Sequence, residues 1–224
     1  MMTEHHLPVQ RTARYYTIGS LTEQTKAIWF CLHGFGQLAQ YFGRKFTGLD
    51  DGETFVVVPE GLSRSYTDSS YQRVGASWMT REDRDYEISD YILYLNSLYD
   101  RVLNGLKPDE TGLQITVLGF SQGAATACRW LNAQHVHADR LILWAGYLPH
   151  GLADLINPAT LETTETHYVY GRQDEYLVEL DDINEYLTRL QTDIPTLKIT
   201  AFDGGHRVDP DVLKTLVTVT PTIP

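Results

Sequence analysis

Six short apolar runs recur along this 224-residue chain, at residues 26–32, 54–59, 113–120, 140–146, 166–171 and 196–202. Val, Ile, Tyr and Phe dominate them, and Gly, Pro or Asp closes most, which is how strands read in a sequence. Longer amphipathic segments separate them, and strands alternating with helices imply a largely parallel sheet covered by helices. The stretch 85–106 places Ile88, Tyr91, Ile92, Leu95, Leu98, Tyr99 and Val102 at steps of three and four, so one helical face is apolar. Gly105 and Pro108 are the expected terminators of that helix. Further helices are predicted over 121–135, 178–190 and 210–217. "ARYYTIG" near the start reads as an edge strand, and 59–83 as a long irregular loop of the kind that is often functional. With no internal repeat or linker, one α/β domain spanning 1–224 is expected.

Charge narrows the function. Eighteen Lys and Arg against 29 Asp and Glu give a net charge of -11, which excludes a nucleic-acid binder and disfavours anionic membranes. Cys31 and Cys128 each lie in an apolar tract, as buried thiols do in a reducing compartment. The first sixteen residues hold no apolar core of a signal peptide, and no run is long enough to span a bilayer. The expected location is cytoplasmic. No metal or cofactor signature is present: His5-His6 reads as a polar leader, and CxxC, HExxH and phosphate-loop patterns are missing from the sequence.

The chemistry gathers at "GFSQG", Gly119 to Gly123, between the run at 113–120 and a predicted helix. G-x-S-x-G in that context is a nucleophile elbow, whose glycines remove side chains that would collide in a strained turn. Ser121 is then the nucleophile; the alternative is an ordinary helix N-cap. In a Ser-Asp-His order the base comes late, after the last strand, and His206 in "AFDGGHRVDP" meets that demand. The acid that orients it is expected just past the 166–171 strand, at Asp174, with Glu175 its immediate rival and Asp203 a weaker one. "CLHGFGQ" supplies an early Gly-rich turn. Its Phe35 and the residue after the nucleophile, Gln122, are the expected backbone N–H donors of an oxyanion hole. His33 is assigned to shaping that turn. Trp78 and Met79 either wall an apolar acyl pocket or belong to the core, and Leu177 is a third candidate for the same cleft.

"LHGFGQ", "GFSQGAA", "GRQDEYL" and "GGHRVDP", in that order, make the chain resemble the phospholipase/carboxylesterase family of α/β-hydrolases, which includes acyl-protein thioesterases. The resemblance covers about 26–210. It implies an α/β-hydrolase fold with helices on both faces of a mostly parallel sheet and no large lid domain. It also implies cofactor-free cleavage of small acyl esters or thioesters by Ser121, Asp174 and His206, in a monomer or homodimer. Gln37, Pro59-Glu60-Gly61 and Trp78-Met79-Thr80 depart from the thioesterase pattern in the substrate-binding loops, so a general carboxylesterase is expected. The other readings are a lipase, peptidase or lactone hydrolase with the same triad, or a non-catalytic scaffold that binds a small ligand.

Overall fold

A computed structural model describes residues 1–217 apart from 107, 109–111, 179 and 181. Seven strands form one sheet: Tyr15–Ile18 (β1), Ala27–Leu32 (β2), Thr54–Pro59 (β3), Gln114–Phe120 (β6), Arg140–Trp144 (β7), Glu165–Gly171 (β8) and Lys198–Phe202 (β9). Their spatial order is β1-β3-β2-β6-β7-β8-β9. β1 runs antiparallel to β3, and every other pairing is parallel. Each of the six apolar runs is thus a strand, and "ARYYTIG" is the edge strand it was expected to be.

Alternation along each strand splits the core in two. Ile28, Phe30, Phe55, Val57, Ile115 and Val117 face one layer. Trp29, Cys31, Val56, Val58, Leu118 and Phe120 face the other. Helices Arg84–Val102 (α2), Gln122–Asn132 (α3) and Ile183–Asp193 (α5) cover the first face, burying Tyr91, Leu95, Trp130 and Leu190. Ala39–Phe42 (α1), a 3-10 turn at Gly43–Leu49 and Pro210–Val217 (α6) cover the second. Cys31 and Cys128 are free, buried thiols on opposite faces of the sheet, and burial pushes both pKa values up, Cys128 to about 12. Among the described residues no helix is long and apolar enough to cross a membrane.

Three predictions need correction. The stretch 59–83 is not wholly irregular: Ser63–Tyr66 (β4) and Val74–Ser77 (β5) pair antiparallel as a separate hairpin. The helix predicted over 178–190 is two pieces, Glu175–Val178 (α4) and α5; positions 179 and 181 lie outside the described residues. A new helix begins there because Asp182 caps it, accepting from Asn184 N–H at 2.7 Å and Glu185 N–H at 3.3 Å, which satisfies two otherwise orphaned donors. Finally, α2 stops at Val102, ahead of Gly105, with Leu103 as its C-cap.

Candidate active site

Ser121 follows β6 in a backbone conformation few serines adopt, with φ 54° and ψ -118°. The turn closes there because its flanks carry no side chains. A Cβ on Gly119 would collide with the Gly123 carbonyl, and one on Gly123 with the carbonyl of Leu32. Such a conformation costs on the order of 1–3 kcal/mol and survives only where its surroundings hold it. Ser121 N–H donates to the Trp144 carbonyl at 2.8 Å, pinning the elbow to β7. Ser121 is the N-cap of α3 by position, but its hydroxyl makes no capping bond.

His206 sits in the loop after β9 and its Nδ1 lies 2.8 Å from Asp174 Oδ2. Its ring lies between Phe120 and Tyr176, with centroid distances of 4.8 and 4.7 Å, so it is held beside the residue that precedes Ser121. Backbone contacts zip its loop to the Asp174 loop. Gln173 N–H donates to the Gly204 carbonyl at 2.9 Å, Arg172 N–H to the Phe202 carbonyl at 2.8 Å, and a Cβ on Gly171 would strike the Gly204 carbonyl. Asp174 is 0% exposed, and its Oδ1 accepts Tyr176 N–H at 3.0 Å. Its rivals make no bond to the ring: Glu175 is exposed, with a carboxylate oxygen 3.9 Å from where a Gly205 Cβ would stand, and exposed Asp203 lies 3.6 Å from Arg172. Geometry therefore selects Asp174 as the carboxylate on His206.

The 33–37 turn packs against the elbow. A Cβ on Gly34 would stand 3.0 Å from the Phe120 ring and 3.1 Å from Ser121 Cβ. Gly34 N–H donates to Gln37 Oε1, Gln37 N–H to the Gly34 carbonyl and Gly36 N–H to the Ala76 carbonyl. Among the described residues no acceptor meets the Phe35 N–H. Gln122, first residue of α3, has an N–H without an intrahelical acceptor by position. The Phe35 side chain itself is 67% exposed.

His33 is fully buried. Its Nδ1 lies 2.7 Å from the Gly34 carbonyl, and its Nε2 accepts Gly61 N–H at 2.9 Å. That pattern requires a neutral ring with the proton on Nδ1. Burial holds its pKa below the usual value, outweighing the pull of the Gly34 carbonyl and Glu60. The turn-shaping part expected of it is the one its bonds describe. Glu60, also buried, accepts from Arg14, from Arg64 Nε at 2.6 Å and from Ala39 N–H at 3.1 Å. Burial pushes this carboxyl up, and those bonds together bring it below its usual range.

The three residues predicted for substrate binding part company. Trp78 is 1% exposed, and its indole N–H donates to the His33 carbonyl at 2.8 Å; it belongs to the core. Met79 is half-buried, with its Sδ 3.9 Å from Arg129 Nη1. Leu177 is buried on α4 and lines a cavity of about 410 Å³ with Tyr170, Val178, Leu180 and Ile183. No residue pattern marks the Gln122 side chain as engaged, yet its Oε1 accepts Trp78 N–H and its Nε2 donates to the Met79 carbonyl. Nor does any pattern mark the β4–β5 hairpin that carries those partners. His6, read as part of a polar leader, stacks on Tyr86 at 4.1 Å and groups with Glu4 and Asp83 on the open surface.

Solved structures with this fold include acyl-protein thioesterase 2 from Zea mays, with a TM-score of 0.67 and 17% identity over 92% of this chain and 96% of that one. SOBER1 from Arabidopsis thaliana gives a TM-score of 0.59 and 15% identity, covering 85% and 95%. Esterase PE8 gives 0.54 and 19%, covering 92% and 96%. These likenesses establish the α/β-hydrolase fold, with no large additional domain. No curated protein matches the chain in sequence. Residues 22–214 do match the family described as "Serine hydrolase (FSH1)", and with nearly all of its folded part inside that match the chain belongs to the FSH1 serine hydrolase family.

Proposed function

We propose that this protein is a carboxylesterase-type serine hydrolase that cleaves small acyl esters or thioesters through an acyl-enzyme on Ser121. The observation that carries the reading is the buried Asp174 on His206 Nδ1 at 2.8 Å, with the His206 ring packed on Phe120, the residue before a strained Ser121. With its Nδ1 proton directed at a carboxylate, the ring presents Nε2 as a base. Ser121 Oγ loses its proton to that nitrogen and attacks the acyl carbonyl carbon. The electron pair displaced onto oxygen is received by the Phe35 and Gln122 N–H groups of the proposed oxyanion hole. The imidazolium, stabilised by Asp174, returns its proton to the departing alcohol or thiol as the C–O or C–S bond breaks. Water then attacks the acyl-enzyme with the same base, and the carboxylic acid leaves. The chain's own residues and water balance every step.

The family match supports serine hydrolysis; the names of the maize thioesterase and of esterase PE8 favour ester and thioester substrates. Ser121→Ala is expected to abolish hydrolysis of short p-nitrophenyl esters and labelling by a fluorophosphonate probe. Esterase activity surviving that change would sink the assignment. A panel of esters, thioesters, amides and lactones of graded acyl length then separates carboxylesterase from thioesterase, lipase, peptidase and lactonase.

A further inference from the structure

Two N–H donors that must converge on one oxygen lie on chain segments 87 positions apart, Phe35 on the turn after β2 and Gln122 at the head of α3. A donor of this kind works only within about 2.7–3.1 Å of the developing oxyanion, so something must fix the gap between the segments. The Phe35 turn does not supply that stiffness alone. It is flanked by Gly34 and by Gly36 at φ +71°, residues that tolerate wide backbone excursions.

One strand touches both segments. On one side, β5 holds the turn: Gly36 N–H donates to the Ala76 carbonyl at 2.9 Å, and Ala76 N–H to the Gln37 carbonyl at 3.0 Å. Gly75 permits this approach, since a Cβ there would overlap the backbone of Gly36. Where β5 ends, Trp78 adds its indole bond to the His33 carbonyl at 2.8 Å, and His33 in turn bonds the Gly34 carbonyl. On the other side, the Gln122 carboxamide grips the same strand end. Its Oε1 accepts Trp78 N–H at 3.0 Å and the Ser77 hydroxyl at 3.3 Å. Its Nε2 donates to the Met79 carbonyl at 2.8 Å.

We infer that Gln122 has a second, side-chain function: its carboxamide is a positioning group that, through the end of β5, Trp78 and His33, sets the separation of the two oxyanion donors. Gln122 thus donates through its backbone and aligns its partner donor through its side chain. A carboxamide suits this place because Trp78 N–H needs an acceptor, while the Met79 carbonyl, which also accepts the Ser77 hydroxyl at 2.8 Å, takes a second donor. Glutamate would oppose a carboxylate oxygen to that carbonyl, and an apolar side chain would leave the buried Trp78 N–H unpaired. The inference rests on the proposed reading of Ser121 as nucleophile.

The test uses Gln122→Met, which keeps the backbone N–H and the side-chain length, and Trp78→Phe, which keeps an aromatic ring in the site but removes the indole donor together with part of the ring's volume. Activities are expressed per fluorophosphonate-titrated site, beside a Ser121→Ala control. Displacing one donor without deleting it is expected to lower kcat on p-nitrophenyl butyrate about 10- to 100-fold, below the roughly 100- to 1,000-fold loss on removing a donor outright. KM should move by less than about threefold. Affinity for a trifluoromethyl ketone, whose tetrahedral adduct places an oxyanion in the hole, should fall in parallel with kcat/KM, while the pH midpoint of kcat/KM stays in place. A variant that melts earlier yet keeps wild-type kcat per titrated site and wild-type ketone affinity overturns the inference. If Gln122→Met does not accumulate as folded protein, Trp78→Phe carries the same expectation and the same overturning result. Activity retained in Ser121→Ala would instead remove the nucleophile reading itself, so the two failures are distinguishable.

Discussion

At the scale of single residues, neighbours along the chain occupy opposite environments, and chemistry follows the environment. Asp174 and Glu175 are adjacent carboxylates; one is buried against His206 Nδ1 and the other is exposed on the first turn of α4. A buried carboxylate fixes the imidazole tautomer and stabilises the imidazolium; an exposed one, screened by water, does neither. Asp174→Asn is therefore expected to reduce kcat by about 10³- to 10⁴-fold, the scale seen when a triad acid becomes an amide, whereas Glu175→Gln stays within about threefold. Steady-state kinetics on one p-nitrophenyl ester with both variants decides the matter, and the reverse pattern would move the acid to Glu175. The order of Ser121, Asp174 and His206 can be read from the sequence because each lies in the turn or loop that follows a strand, where short motifs survive as contiguous text. The side chain of Gln122 was not legible. Its partners are backbone atoms of Trp78 and Met79, and no residue-type pattern records a bond from a side chain to a distant main chain.

Among the elements, those whose stability is local were readable and those held by remote contacts were not. β3 runs over Thr54–Pro59, all six residues buried, so its hydrophobic signal is continuous. In contrast, β4 is the polar, mainly exposed run Ser63–Tyr66. It and β5 persist through pairing with each other and through close backbone approach at Gly36 and Gly61. Nothing in "SRSY" or "VGAS" announces this. The division between α4 and α5 is intermediate, because its signal is one cap. Asp182→Ala removes the acceptor for two N–H groups and is expected to cost about 1 kcal/mol. Thermal melting of that variant should fall by roughly 2–4 °C for a chain of this size, with kcat unchanged because α5 touches neither His206 nor the elbow. A melting temperature equal to wild type would mean that burial of Tyr186 and Leu190, and not the cap, starts the helix where it does.

For the whole molecule, buried titratable groups make stability depend on pH, and on the acid side the histidines and glutamates act in one direction. His33 and His167 have pKa values lowered first by burial, so the unfolded chain binds protons that the folded one refuses. Their contribution is complete above the unfolded histidine value of about 6.5 and is lost as pH falls below it. Glu60 and Glu165 are pushed up by burial and brought down further by their cations. Arg64 and Arg14 hold the first, and Lys198 and Arg140 hold the second at about 2. Folded pKa values depressed in this way add stability that is complete above the unfolded glutamate value of about 4.3 and vanishes toward pH 2. Unfolding free energy from urea titrations is thus expected to be greatest near pH 7, to decline gently below 6.5, and to fall more steeply below 4.5. Two variants separate the steps. His167→Phe fills the same buried site on β8 without a titrating ring and should reduce the slope between pH 6.5 and 5. Glu165→Gln should flatten the curve below 4.5 while lowering stability at neutral pH, because Arg140 and Lys198 then lose their carboxylate. If both variants trace the wild-type pH dependence with only a vertical offset, these groups do not govern acid stability and the proton-linked loss arises from general charge repulsion.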